Sequence, residues 1–249
     1  MKTLKLQQEW LQNILPDGFP YPSSTLVSGP GGSGKPLVGY MFAKEWLEQG
    51  GAVVFLLTST TFEYFKDTMR MLGIDIERFN DHILYIELDT TQKQIIKTKD
   101  NYLQANFVIP EIWIQMIKEI DRFGKPFDNP GVMVSGSALN LLFFSDTYKE
   151  KIQSGILETL TENRRHTWLF TVNSDAFKKL ITPLEEAADN LMMSHMEKPM
   201  HLFLKIINMK GVSFKQETVK VPLSQEILKS LREEAEKGKR NLIPMIKKL

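Results

Sequence analysis

The sequence predicts an α/β fold: a mainly parallel central sheet flanked by helices, with antiparallel strands added towards the C-terminus. Three observations carry that prediction. Short apolar runs such as "TLVS" (25–28) and "AVVFLL" (52–57) have the length and branched composition of strands buried on both faces. Segments with apolar residues at helical spacing separate them, and three further strand-like runs crowd the last third of the chain.

The elements follow in order. "MKTLKLQQEWLQNILPDG" alternates polar and apolar residues as an amphipathic helix does, and Gly18, Pro20 and Pro22 then mark a turn. "TLVS" runs into a glycine-rich loop, and a helix covers roughly Pro36 to Gln49, stopped by Gly50 and Gly51. After "AVVFLL", Thr60 with Glu63 fits a capping box for a helix running to Leu72, with Gly73 as its stop. "HILYIEL" is a third strand, and the polar, poorly periodic segment from Asp89 to Ile109 reads as an extended connection or an excursion at one edge.

From Pro110, Ile112, Met116, Ile117, Ile120 and Phe123 repeat at helical spacing until "FGKPFDNPG" breaks them. "VMVS" (132–135) is the fourth strand, Ile152, Ile156 and Leu160 mark another helix, and "TWLFTV" (167–172) is the fifth strand. Strands are expected near "NLMMSH", "HLFLKIIN" and "ETVKV". From Ser224 the chain reads as a charged helix followed by a basic-apolar tail, in which Pro244 should interrupt any long amphipathic helix. The expected division is 1–222 for the main domain, N-terminal helix included, and 223–249 for the C-terminal helix and tail.

Composition narrows the chemistry. With 249 residues, 42% of them hydrophobic, one sizeable core is the expectation. Thirty-one Lys and Arg against thirty Asp and Glu leave a formal charge of +1, so no global field favours nucleic acid or an anionic membrane. There is no cysteine, which removes thiolate nucleophiles, disulfides and iron-sulfur clusters. The N-terminus lacks the continuous apolar stretch of a signal peptide and the apolar runs are too short to span a bilayer, so a cytoplasmic location without membrane contact is expected.

The stretch "GPGGSGKP" carries the strongest functional signal. Gly29, Gly34 and Lys35 satisfy G-x-x-x-x-G-K, which three fixed positions match by chance about 0.1 times in a chain of this length. The context adds weight: the loop follows a strand, is further enriched at Gly31 and Gly32, and opens a helix. Glycines let successive N–H groups point inward, the helix N-terminus adds positive potential, and Lys35 can reach outer phosphates. Gly31, Gly32, Ser33, Gly34, Lys35 and Leu37 are therefore the expected nucleotide-binding residues. A tight strand-to-helix turn without a ligand is the competing reading. Pro36 stands where the motif has Ser or Thr, so it offers neither a hydroxyl to magnesium nor an N–H to phosphate, although proline is comfortable in a first helical turn.

With these elements in order, the chain from about Leu11 to Gly211, most strongly through Asp75, resembles the KaiC and RecA-like P-loop ATPases, especially the single-domain archaeal KaiC-like proteins. The resemblance implies a RecA-like fold and ATP or another nucleotide as ligand. It also implies a glutamate pair after the second strand, where this chain has Ser59 and Thr60, neither of them a base near neutral pH. The position of the Walker B aspartate falls on Ser135. In "EEAADNLMMS" and "LFLKIINMKG", Asp189 matches the family, whereas Asn208 and Lys210 replace a Lys and an Arg in a turn that faces a neighbouring subunit's nucleotide. These losses count against magnesium, and no catalytic or metal-binding residue is assigned.

Other features are read as structural. Arg164 and Arg165 in "ENRRH" suit a solvated helix end, with an arginine finger or a nucleic-acid contact as the alternative. His82, His166, His195 and His201 lack metal-ligand spacing. Trp113, Trp168 and the methionine-rich "LMMSHMEKPM" are read as core filling, with an adaptable binding surface as the alternative for the methionines. The expected function is a degenerate KaiC-like or RecA-like ATPase homologue that binds a nucleotide or another anion, hydrolyses weakly or not at all, and acts as a regulatory module with a protein partner or as a homo-oligomer. The alternatives are an active ATPase recruiting Asp89, Asp128 or Glu63, and a RecA-paralogue-type accessory protein in DNA recombination or repair.

Overall fold

A computed structural model describes residues 2–249. In chain order the elements are β1 (Lys2–Leu4), α1 (Glu9–Ile14), β2 (Phe19–Tyr21), β3 (Ser24–Gly29), α2 (Lys35–Glu48), β4 (Ala52–Leu57), α3 (Phe62–Met71) and β5 (Ile83–Leu88). They continue with β6 (Ile96–Lys99), β7 (Tyr102–Ala105), α4 (Pro110–Gly124), β8 (Val132–Gly136), α5 (Lys149–Glu162), β9 (Thr167–Asn173), α6 (Lys178–Ala187), β10 (Asn190–Glu197), β11 (His201–Asn208), β12 (Val219–Lys220) and α7 (Gln225–Ile246).

Ten strands form one sheet in the order β12-β11-β10-β3-β9-β8-β4-β5-β7-β6. The seven from β10 to β7 are parallel, and antiparallel pairing is confined to β12 and β11 at one edge and β6 at the other. β3 and β4 follow each other in sequence, yet β9 and β8 separate them in space. That reversal leaves a crevice at the carboxyl ends of the strands, where open parallel sheets bind ligands. Two apolar layers cover the faces: α2 and α3 with α1 on one, α4, α5 and α6 on the other. β3, β4 and β8 are buried along their whole length, which explains their unbroken apolar runs.

The expected N-terminal helix is shorter than its pattern suggests. Met1 lies outside the described residues; Lys2–Leu4 pairs antiparallel with Phe19–Tyr21, and only Glu9–Ile14 is helical. A six-residue helix has little stability of its own. Here the Glu45 carboxylate of α2 accepts the N–H groups of Gln7 (2.5 Å) and Gln8 (3.0 Å), satisfying donors that the first helical turn leaves free.

The capping box moves by one residue. Thr61, not Thr60, caps α3 by accepting the Tyr64 N–H at 3.4 Å, while Glu63 pairs with Lys66 at 2.7 Å. The Phe62 N–H donates instead to the Glu87 carboxylate at the end of β5 (2.8 Å), a tertiary partner that local spacing does not reveal. The polar segment after Asp89 contains the β6–β7 hairpin at the sheet edge. α6 has no counterpart among the expected helices; Ile181 and Leu184 bury its inner face although Pro183 lies within it.

The C-terminal correction bears most on function. α7 runs through Pro244 as one helix of 22 residues, not as a helix and a separate tail. An interior proline costs about 3 kcal/mol, but Ile246 is fully buried, and Leu242, Ile243 and Leu249 pack against the same apolar layer. At its other end Leu228 is buried in the opposite layer, and the Ser224 hydroxyl caps the helix on the Ile227 N–H. α7 thus crosses the carboxyl edge of the sheet and is anchored on both faces.

Candidate active site

The phosphate loop connects β3 to α2 and is shaped by close backbone approaches. A Cβ at Gly29 would lie 2.1 Å from the Ser194 carbonyl oxygen, so β10 and the loop can meet only because residue 29 has no side chain. Gly32 and Gly34 have φ of 76° and 70°, left-handed values that glycine adopts without strain. Ser33 is tied to Ser194 through their hydroxyls at 2.9 Å.

Lys35 is almost wholly buried. Its ammonium donates to the carbonyls of Gly29 (2.9 Å) and Pro30 (2.6 Å) and to the Ser33 hydroxyl (3.0 Å), so all three N–H donors brace the loop. Burial above all, and then the charge of Lys239, pulls Lys35 down to about 8, with Asp175 acting in the opposite direction. Pro36 occupies the first turn of α2, where a missing N–H does no harm to the helix.

Gly31, Gly32, Ser33, Gly34 and Lys35 line one cavity at the carboxyl edge of the sheet. Leu37 does not: it is buried in the core, and its N–H already donates to the Gly34 carbonyl at 3.0 Å. The opposite wall comes from the ends of β4, β8 and β9 through Ser59, Ser137 and Asn173. The Ser137 hydroxyl is buried and faces the hydroxyl of the buried Tyr40, which lines the same cavity. Next to it Ala138 has φ +50°, a left-handed conformation that is uncommon for alanine and costs about 1–2 kcal/mol. Its N–H donates to the Thr171 hydroxyl at 2.9 Å, and the Asn140 side chain accepts the Asn173 N–H at 3.1 Å, which together hold the strained turn.

Ser135 lies inside β8 between Phe55 and Leu169 in register, with its hydroxyl close to Gly39 of α2. Of the acidic residues offered as substitutes, none lines the cavity. Asp89 accepts from Thr91 and Gln92 in its own turn, Glu63 pairs with Lys66, and Asp128 borders a separate depression beside Pro130. Among the described residues the one carboxylate on the cavity wall is Glu234, supplied by α7. No group of three or more His, Asp or Glu side chains among the described residues is arranged to hold a metal ion.

α7 forms the roof, and the residues it contributes were missed by motif reasoning. Arg232 and Lys239 line the cavity, Leu228 touches the space above Gly34, and the Tyr64 hydroxyl meets that of Ser230 at 2.9 Å. The usable signal was the spacing of Leu228, Leu231 and Ala235, a helical stripe interleaved with cations.

Asp189 and its neighbours stand apart from the loop. Asp189 binds the Ser24 N–H at 3.1 Å, and Ser24 opens β3 whereas Gly29 ends it, a separation of about 16 Å along a strand. The Asp189 carboxylate is paired with Arg164 and with Lys210 (2.6 Å), and Asn208 donates to the Asp189 carbonyl at 2.9 Å. Arg164 and Arg165 follow the end of α5 and are exposed, as expected, and each is also an ion-pair partner: Arg165 pairs with Asp121 at 2.8 Å, beside the buried His166. Folding brings carboxylates from α4 and from the start of β10 to this helix end, which the run "ENRRH" alone cannot show. Trp113 and Trp168 are buried, and Met192 is in the core, while Met193, Met196 and Met200 are half-buried.

A glycine loop and lysine at the switch point of a parallel sheet, with β9 inserted between the loop strand and β8, define a P-loop nucleotide-binding fold of the RecA-like kind. Residues 8–228 match the family model described as "ATPase: KaiC", and the chain belongs to that family. No curated protein matches the chain in sequence. Two solved structures share its fold. The flagellar accessory protein FlaH from Methanocaldococcus jannaschii superposes with a TM-score of 0.64 at 16% identity, covering 89% of this chain and 94% of its own. A KaiC-like protein from Pyrococcus horikoshii superposes with a TM-score of 0.67 at 14% identity, covering 90% and 95%. Among the described residues no helix is long and apolar enough to cross a membrane.

Proposed function

We propose that this member of the KaiC ATPase family is a nucleotide- or anion-binding regulatory module that hydrolyses ATP weakly or not at all. One observation carries the reading: the loop and its lysine are built, but the cavity wall facing them has hydroxyls and amides where phosphoryl transfer needs carboxylates. Ser59 and Thr60 follow β4, Ser135 sits in β8, and Pro36 removes the hydroxyl that would hold magnesium. A general base contributes about 10² to 10⁴ in rate, and metal stabilisation adds several kcal/mol.

The Asp189 cluster supports the same view. Lys210 and Asn208, at positions where relatives reach towards a neighbour, are engaged on Asp189 within the chain. In this reading the protein acts through its surfaces, on a protein partner or in an oligomer, with residues 223–249 packed across the P-loop domain. The test is phosphate release from ATP with magnesium, together with nucleotide affinity with and without the metal. Negligible turnover with affinity that depends on Lys35 and is indifferent to magnesium is the expected result. Turnover comparable to active family members, abolished by Lys35→Ala, would overturn the proposal.

A further inference from the structure

The family's ligand and this cavity do not match in size. With α7 in place the space between helix and loop is about 80 Å³, whereas pockets that bury a drug-sized molecule measure roughly 300–1,000 Å³. That enclosed space does not hold a whole nucleoside triphosphate. The obstruction is α7, whose Arg232 lies 3.7 Å from where a Cβ at Gly32 would be and whose residues beyond Leu228 lie outside the family match.

The roof has the character of a binding wall as well as a plug. Lys35 from below and Arg232 and Lys239 from above give the cavity three cations against the single carboxylate of Glu234. Arg232 has no ion-pair partner among the described residues, and Lys239 meets only Glu236, one turn away on its own helix at 3.0 Å. Three cations facing one carboxylate in a partly enclosed space favour an anionic, acceptor-rich ligand.

We propose that α7 is a gate over the phosphate loop: when seated, its Arg232 and Lys239 complete a site for a compact phosphate-class anion such as pyrophosphate, and a nucleoside triphosphate binds only when α7 lifts. This rests on the reading of the protein as an anion-binding module and names the ligand class and the control of that site. Burial first and the charge of Lys239 second make the Lys35 proton costly, and an anion bound beside it would offset both.

Gly238 provides a way to move the gate. A Cβ there would stand 2.2 Å from the Ser59 carbonyl oxygen, a backbone atom with little freedom to yield, whereas alanine suits the helix itself. Gly238→Ala should therefore unseat α7 without melting it.

Isothermal titration of the full chain with magnesium-free pyrophosphate and with ATP tests the proposal. The wild type should prefer pyrophosphate; Arg232→Gln and Lys239→Gln should each weaken it by roughly tenfold, the scale of one charged hydrogen bond; and Gly238→Ala should weaken pyrophosphate while strengthening ATP. Should Gly238→Ala fail to fold, the two helix-surface variants decide alone. If both ligands bind through Lys35 but no α7 substitution changes either affinity, the gate is wrong and the anion-binding module stands. If neither ligand binds the wild type or Gly238→Ala, both proposals fall.

Discussion

Gly238 of α7 and Ser59 of the β4–α3 loop meet backbone to backbone, so closely that a methyl group at 238 would press on the Ser59 carbonyl. Such contact is possible only because residue 238 has no side chain, and the helix tolerates glycine at a cost of about 1 kcal/mol. Gly238→Ala should thus leave the far-ultraviolet circular dichroism unchanged or slightly more helical. Amide exchange along α7 should accelerate while that of β3 and β4 does not. Equal protection of α7 in both proteins would show that the contact is not what seats the helix.

Lys35 should give two opposite pH trends. Its folded value of about 8 lies below the ordinary 10.5, because of burial first and Lys239 second. The cost of keeping it charged in the fold is fully present below about pH 8 and is relieved as pH rises from there to 10.5, so its contribution to stability improves across that window. Anion affinity should move the other way, falling by up to about tenfold per pH unit above 8 as the ammonium is lost. Lys35→Met should remove both trends, as read by urea unfolding and by pyrophosphate titration from pH 7 to 10.

Asp189 predicts an acid limb. Burial pushes its carboxyl up, but the Lys210 hydrogen bond, the Ser24 N–H and Arg164 outweigh burial and hold it below the usual carboxylate range. Its stabilisation is therefore present above pH 3.8 and is lost as pH falls through the lower folded value. Arg164 and Lys210 are both substantially exposed, which discounts the charge pairing itself. Asp189→Asn should cost about 1–3 kcal/mol at pH 7, mainly from hydrogen bonds made poorer. It should also flatten the acid limb of stability measured from pH 5 to 2.

On the proposed reading, restoring the motif residue alone does not make an efficient ATPase. Pro36→Ser returns a hydroxyl and an N–H, yet Ser59, Thr60 and Ser135 still provide no carboxylate at the loop. Phosphate release with ATP and magnesium should stay within about tenfold of the wild type, a change of about 1.4 kcal/mol in barrier. A larger gain would mean that the other positions are not limiting.

The parallel strands were legible because each is buried on both faces and reads as an unbroken apolar run, "AVVFLL" being the clearest. The glycine loop was legible because its backbone angles and close approaches demand glycine at Gly29, Gly32 and Gly34. The first residues and the end of α7 were harder. Lys2–Leu4 becomes a strand because β2 lies beside it, and Pro244 stays helical because Ile246 has a core to enter.

By itself, the sequence determined the buried parallel strands, the phosphate loop and the proline that follows its lysine, since these depend on local periodicity and residue chemistry. Only the tertiary structure decided that α7 roofs that loop, that Arg232 and Lys239 share its cavity, and that Asp189 holds Arg164 and Lys210 at the far end of β3. Those contacts join residues far apart in the chain, and no local pattern encodes which surfaces of the folded layers will meet.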